Sequence, residues 1–126
     1  ISSEVIKLMI KKDIKVVGAS VLVLGVTFKE NCPDIRNTKV VDLISSLEEY
    51  NLKVKVYDPL ANEKEVLNEY GIISLRKLPK EKFDCIVLAV SHQEFIYLDF
   101  DSLKKENSII YDVKNILNKS IKDKTL

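Results

Sequence analysis

The chain has 126 residues, 46% of them apolar and 31% charged, which suffices for one domain with its own core. Lys and Arg total 20 against 19 Asp and Glu, a net charge of +1, so no bulk field points to nucleic acid or a membrane surface. No apolar run approaches the ~20 residues of a membrane span, and Glu4 and Lys7 interrupt the first ten residues, so no signal peptide is visible.

Ile1–Lys12 carries apolar residues at Val5, Ile6, Met9 and Ile10, which is helical spacing. The chain begins inside that pattern without an initiator Met, which suggests a cut from a longer protein. Lys11–Ala19 reads as a connector. Val21–Val26 opens with a continuous β-branched apolar run between Gly18 and Gly25. It reads as a parallel strand buried on both faces. Val40, Val41, Leu43, Ile44 and Leu47 make an amphipathic helix ending near Tyr50. Lys53–Tyr57 is the second strand, stopped by Asp58-Pro59. Asn62-Glu63-Lys64-Glu65 resembles a capping box and opens a helix that Gly71 closes. Ile72–Leu75 is a weak third strand and Asp84–Val90 a strongly apolar fourth. Ser91-His92-Gln93-Glu94 reads as a second capping box that starts another helix. Ser108–Tyr111 is the last strand, and Lys119–Leu126 is a polar tail expected to fray.

Strands that alternate with helices argue for parallel pairing and right-handed crossovers. The expected fold is α/β: a three-layer α/β/α sandwich on a five-stranded parallel Rossmann-like sheet, order 3-2-1-4-5. In such sheets, ligands bind beyond the carboxyl ends of the strands. Four ends carry polar residues here: Thr27–Asn37, Asp58, Ser91-His92 and Asp112–Lys114.

Lys29 and Arg36 are the cations of the main loop. They read either as phosphate or carboxylate contacts or as solvated charges. Phe28 reads as a platform for a base or sugar, or as a plug at the core's edge. His92, the one histidine, is a general base only if a carboxylate partners it, and none is adjacent in sequence. Asp58 stands where dinucleotide folds put a ribose-binding acid, yet Asp-Pro also simply ends a strand. Cys32 lies between Glu30 and Asp34, and Cys85 lies in an apolar strand, so neither reads as a nucleophile. The two thiols fit no metal spacing and no disulfide framework, so no metal is expected and the default location is cytoplasmic. After the first strand the chain reads Gly25-Val26-Thr27-Phe28-Lys29, with no G-x-G-x-x-G, so the dinucleotide fingerprint is missing.

Gly25–Val40 (GVTFKENCPDIRNTKV), Val56–Pro59 (VYDP), Val90–Phe95 (VSHQEF) and Tyr111–Lys114 (YDVK) together resemble the C-terminal, UDP-binding domain of the UDP-glucose/GDP-mannose dehydrogenase family. The likeness runs from about Ile1 to Leu117. It is greatest to the branch acting on UDP-N-acetylhexosamines, the Vi-polysaccharide type. The resemblance implies part of an NAD-dependent enzyme that oxidises a nucleotide sugar to a uronate in two steps for polysaccharide biosynthesis. It implies that residues 1–12 end a preceding central helical domain and that residues 13–126 form the nucleotide-sugar domain. The NAD fingerprint and the catalytic cysteine would then lie outside this chain, which would be inactive alone, and the full-length protein would be a homo-oligomer. Carried over by position, Phe28, Lys29 and Lys114 contact the UDP-sugar, and Arg36 reaches toward NAD. Lys114 stands where many relatives have Arg, which removes a bidentate contact there. A stand-alone structural or oligomerising module is one alternative. A receiver-like signalling domain is another, but it needs an acidic cluster where this chain has Val26-Thr27-Phe28.

Overall fold

The computed structural model describes residues 1–126. In chain order the elements are α1 (Ser2–Lys11), β1 (Ser20–Leu24), α2 (Val40–Glu49), β2 (Lys53–Tyr57), α3 (Glu63–Tyr70), β3 (Ser74–Leu75), β4 (Phe83–Leu88), a 3-10 helix (Gln93–Tyr97), α4 (Phe100–Leu103), β5 (Lys104–Asp112) and β6 (Lys124–Thr125). One sheet holds all the strands in the order β3-β2-β1-β4-β5-β6. Every pairing is parallel, with Leu22 of β1 beside Lys55 of β2 and Ile86 of β4.

Alternation along β1 divides the core. Val21 and Val23 point to one face, where Val5 and Met9 of α1, Ile44 and Leu47 of α2 and Val66 of α3 pack. Leu22 and Leu24 point to the other, against Phe83, Phe95, Phe100 and Leu103. All four apolar β1 residues are fully buried. At about 1.5–3 kcal/mol for each such side chain, β1 is a main source of stability.

The expected sandwich holds, but its second helical layer is thin. No long α-helix starts at Ser91; the chain makes the five-residue 3-10 helix and then the four-residue α4. The cap that would start a longer helix is diverted. The Gln93 N–H donates to Asn31 Oδ1 at 3.0 Å, and the His92 side chain is engaged elsewhere. By contrast, Asn62 caps α3 as expected, accepting from the N–H of Lys64 and Glu65, and Gly71 ends it in the left-handed region at φ 68°.

The sheet has six strands, not the expected five. The tail does not fray but adds β6 to β5. The Thr125 hydroxyl donates to Asp112 O at 2.6 Å, and Asp123 Oδ2 accepts from Ile110 N–H at 2.7 Å. A two-residue polar strand has no periodicity to read, and what recruits it is the open edge of β5.

Gly25 turns the chain off the end of β1 at φ 97°. A Cβ placed there would lie 2.5 Å from Val90 Cβ. Gly25→Ala is therefore expected to lower stability by about 2–4 kcal/mol, since it adds left-handed strain to a collision in the core. Urea denaturation measures this, and a loss under about 1 kcal/mol would show that the β1 turn relaxes.

Candidate functional site

Three of the strand ends meet in a buried polar knot. Asp58, one residue past β2, is fully buried. Its Oδ2 accepts from Val26 N–H at 2.8 Å and from Thr27 N–H at 3.3 Å. Its Oδ1 accepts from Leu60 N–H at 2.8 Å and Ala61 N–H at 3.1 Å. His92, also fully buried, brings Nε2 to 3.0 Å from Asp58 Oδ2 and 3.2 Å from Thr27 Oγ1. The opposite ring nitrogen, Nδ1, accepts from Asn31 N–H at 2.9 Å. Phe95 packs beside the imidazole with ring centroids 5.2 Å apart.

His92 thus has a carboxylate partner, supplied by Asp58 from 34 residues away in sequence. It is nevertheless sealed from solvent, which suits a structural tie better than proton transfer to a ligand. Asp58 is spent on backbone amides and cannot serve as a ribose-binding acid. Burial alone would raise its pKa. The bond to His92 and the amides of Val26 and Leu60 outweigh burial and hold it below the ordinary carboxylate value.

Over this knot runs the loop Thr27–Thr38. Phe28 N–H donates to Asp34 O at 2.7 Å, and the Thr27 hydroxyl donates to Lys29 O at 2.9 Å. The Thr38 hydroxyl donates back to Thr27 O at 3.4 Å. Asn31 and Asn37 take left-handed φ values of 56° and 58°, a conformation that Asn adopts more readily than most residues.

The loop walls one side of a cavity of about 270 Å³. Phe28, Lys29 and Lys114, the three residues expected to meet a substrate, all line it. Phe28 is 55% exposed, so it does not plug the core. Lys39, at the start of α2, also lines the cavity, and the sequence reading did not single it out. Three lysines therefore face one carboxylate, Glu30, over an apolar lining that includes Val40, Leu43, Val90 and Val113. The N-terminus of α2 opens here, which adds to the positive potential.

The residues that flank Lys114 are tied to the tail. Asp112, fully buried at the end of β5, accepts from Leu117 N–H at 2.8 Å and from Lys122 Nζ at 3.4 Å. Lys122 also donates to Asn115 Oδ1, and Asn115 turns the loop at φ 58°.

Arg36 does not join this cavity. It lies in a shallow groove with Asp34, Leu60, Asn62 and Arg76. Asp34 binds it bidentately, at 3.0 Å from both Nε and Nη2. Those bonds hold the Asp34 carboxyl down at about 2. The Arg36 side chain remains 84% exposed and faces outward.

The turn after β1 does not fit a dinucleotide. Val90 fills the space beside Gly25, and Phe28 and Lys29 stand in place of the small residues that let a pyrophosphate approach the backbone. No group of three or more His, Cys, Asp or Glu side chains forms a metal-ligand set. Burial pushes the Cys85 thiol far up, which makes it inert.

Residues 22–119 match the UDP-glucose/GDP-mannose dehydrogenase family, UDP binding domain. The chain belongs to this family. UDP-N-acetyl-D-glucosamine 6-dehydrogenase of Salmonella typhi is 44% identical over 93% of the chain, and that of Pseudomonas aeruginosa 42% over 96%. The chain spans only 28% and 29% of the length of these two relatives. In fold it is similar to NDP-N-acetyl-D-galactosaminuronic acid dehydrogenase of Methanosarcina mazei Go1, with a TM-score of 0.77 over 93% of the chain and 26% of that structure, at 23% identity. The sheet, the cavity beyond its strand ends and the matched stretch thus coincide in the UDP binding domain of the dehydrogenase family. No helix is long and apolar enough to cross a membrane.

Proposed function

We propose that this chain is the UDP-binding C-terminal domain of a cytoplasmic, NAD-dependent UDP-N-acetylhexosamine 6-dehydrogenase that serves polysaccharide biosynthesis. The observation that carries the reading is the cavity ringed by Lys29, Lys39 and Lys114 over an apolar lining. Such a site suits a diphosphate joined to a ring: the ammonium groups offset its charge, and the apolar surface takes the ring. The identity to two UDP-N-acetyl-D-glucosamine 6-dehydrogenases supports the N-acetylhexosamine class.

In this reading Lys114 and Lys29 meet the UDP end and the diphosphate or the product carboxylate. Phe28 packs on the sugar or base. Arg36, outside the cavity and facing outward, reaches NAD held mainly by a domain beyond these residues. α1 ends the preceding helical domain, and the whole protein is a homo-oligomer. The two-step oxidation needs a nucleophile, and neither Cys32 nor Cys85 supplies it. A receiver-like role is not favoured: the nearest strand-end acid, Asp58, is buried and spent on backbone amides. A purely structural module is not favoured either, because such a module has no use for a lysine-ringed cavity.

The test is calorimetric titration of the full-length protein with UDP, followed by NADH absorbance with NAD and UDP-N-acetylglucosamine. Binding and turnover are expected, and the 126-residue chain alone is expected to give no steady turnover. A full-length protein that binds no UDP at millimolar concentration would overturn the reading.

A further inference from the structure

The buried Asp58–His92 pair lies beneath the substrate loop yet touches no cavity-lining lysine side chain. The Asn31 N–H can only donate, so His92 Nδ1 must accept, which leaves the ring proton on Nε2. That proton is shared between Asp58 Oδ2 at 3.0 Å and Thr27 Oγ1 at 3.2 Å. The Thr27 hydroxyl hydrogen is committed to Lys29 O, so its oxygen is free to accept from His92. The imidazole therefore holds the loop at two points, Thr27 and Asn31, which bracket Phe28 and Lys29. Asp58 in turn fixes the imidazole and is itself fixed by four backbone amides. Asn31 adds a second tie through its side chain to Gln93 N–H, the residue next to His92.

We infer that His92, oriented by Asp58, is a positioning residue that sets the backbone of Thr27–Asn31 and thereby the reach of Lys29 into the cavity. The inference rests on the proposed role of Lys29 as a substrate contact. It goes beyond that role by naming what makes a flexible lysine effective. A long side chain on a free loop samples many positions, and ordering it after the ligand arrives lowers affinity. A loop tied at both ends to a buried pair carries that cost in the folded state. Displacing such a contact by about 1 Å is enough for losses approaching 10²-fold.

Two measurements on the full-length protein test this. The first is hydrogen exchange of the segment 27–34. In His92→Leu, exchange is expected to rise about tenfold or more there, with β1 and β4 unchanged. The second is a double-mutant cycle on kcat/KM with UDP-N-acetylglucosamine and NAD. Lys29→Ala costs ~10²-fold in the wild type and is expected to cost under about threefold once His92 is leucine. His92→Gln keeps an acceptor and a donor on neighbouring atoms and should return both readouts toward wild type. If His92→Leu does not fold, Thr27→Val removes one hydroxyl at constant shape and is judged by the same two criteria. Unchanged exchange, or a full Lys29 cost in the variant background, would overturn the inference. Should the wild type neither bind UDP nor form NADH, the substrate reading falls, and hydrogen exchange alone decides the clamp.

Discussion

Asp58→Ala is expected to destabilise the fold by about 3–5 kcal/mol at neutral pH, the scale of breaking a buried, fully bonded charge pair. The reason is the number of groups it orphans. The amides of Val26, Thr27, Leu60 and Ala61 lose their acceptor, and so does His92 Nε2. All of these lie in or beside the core, where water cannot replace the carboxylate. The pH dependence follows from the lowered Asp58 pKa. A carboxyl that is more acidic folded than unfolded stabilises the fold above its unfolded value, near 3.8. That contribution is lost as the pH falls through the lower folded value. Stability of the wild type should therefore decline below about pH 4, and that component of the decline should be missing from Asp58→Ala. Urea denaturation of both proteins from pH 3 to 7 measures the two effects. A neutral-pH loss below about 1 kcal/mol would mean that the four amides find other partners.

Lys29→Ala in the full-length protein is expected to lower kcat/KM by ~10²-fold, the size of one charge-assisted contact to a phosphate or carboxylate. The fold should be nearly untouched, because Lys29 is exposed and bonded only through its backbone carbonyl. Kinetics and thermal melting on the same variant decide the point. A kcat/KM within about threefold of wild type would make Lys29 a solvated charge. A melting temperature that falls with activity would make it structural.

The fold was largely legible in the chain. β1 could be read because a strand buried on both faces needs an unbroken apolar run, and Val21–Leu24 is one. α3 could be read because Asn62 and Gly71 act on their own neighbours. Elements that depend on distant partners were less legible. The helix expected after Ser91 yields to the tie between Gln93 and Asn31, 62 residues apart in sequence. β6 exists because β5 has an edge to cover.

The site divides in the same way. The stretches Thr27–Asn37 and Asp112–Lys114 could be placed on one edge because each follows a strand end and chain direction in a parallel sheet fixes that edge, whereas Phe28, Lys29 and Lys114 were singled out as substrate contacts by the resemblance to the dehydrogenase family. Local sequence also supplied the Asn residues at 31, 37 and 115 that turn both site loops. The pairing of Asp58 with His92 could not be read, since 34 residues separate them and each has an ordinary local role. Nor could the exclusion of Arg36 from the cavity, which follows from the path of the loop and the grip of Asp34. Short-range patterns of burial and capping are written residue by residue, so the sequence alone determined the five strands that β6 extends and their polar edge. Which polar side chains are spent on one another and which are left for a ligand depends on through-space distances, and these only the tertiary structure decided.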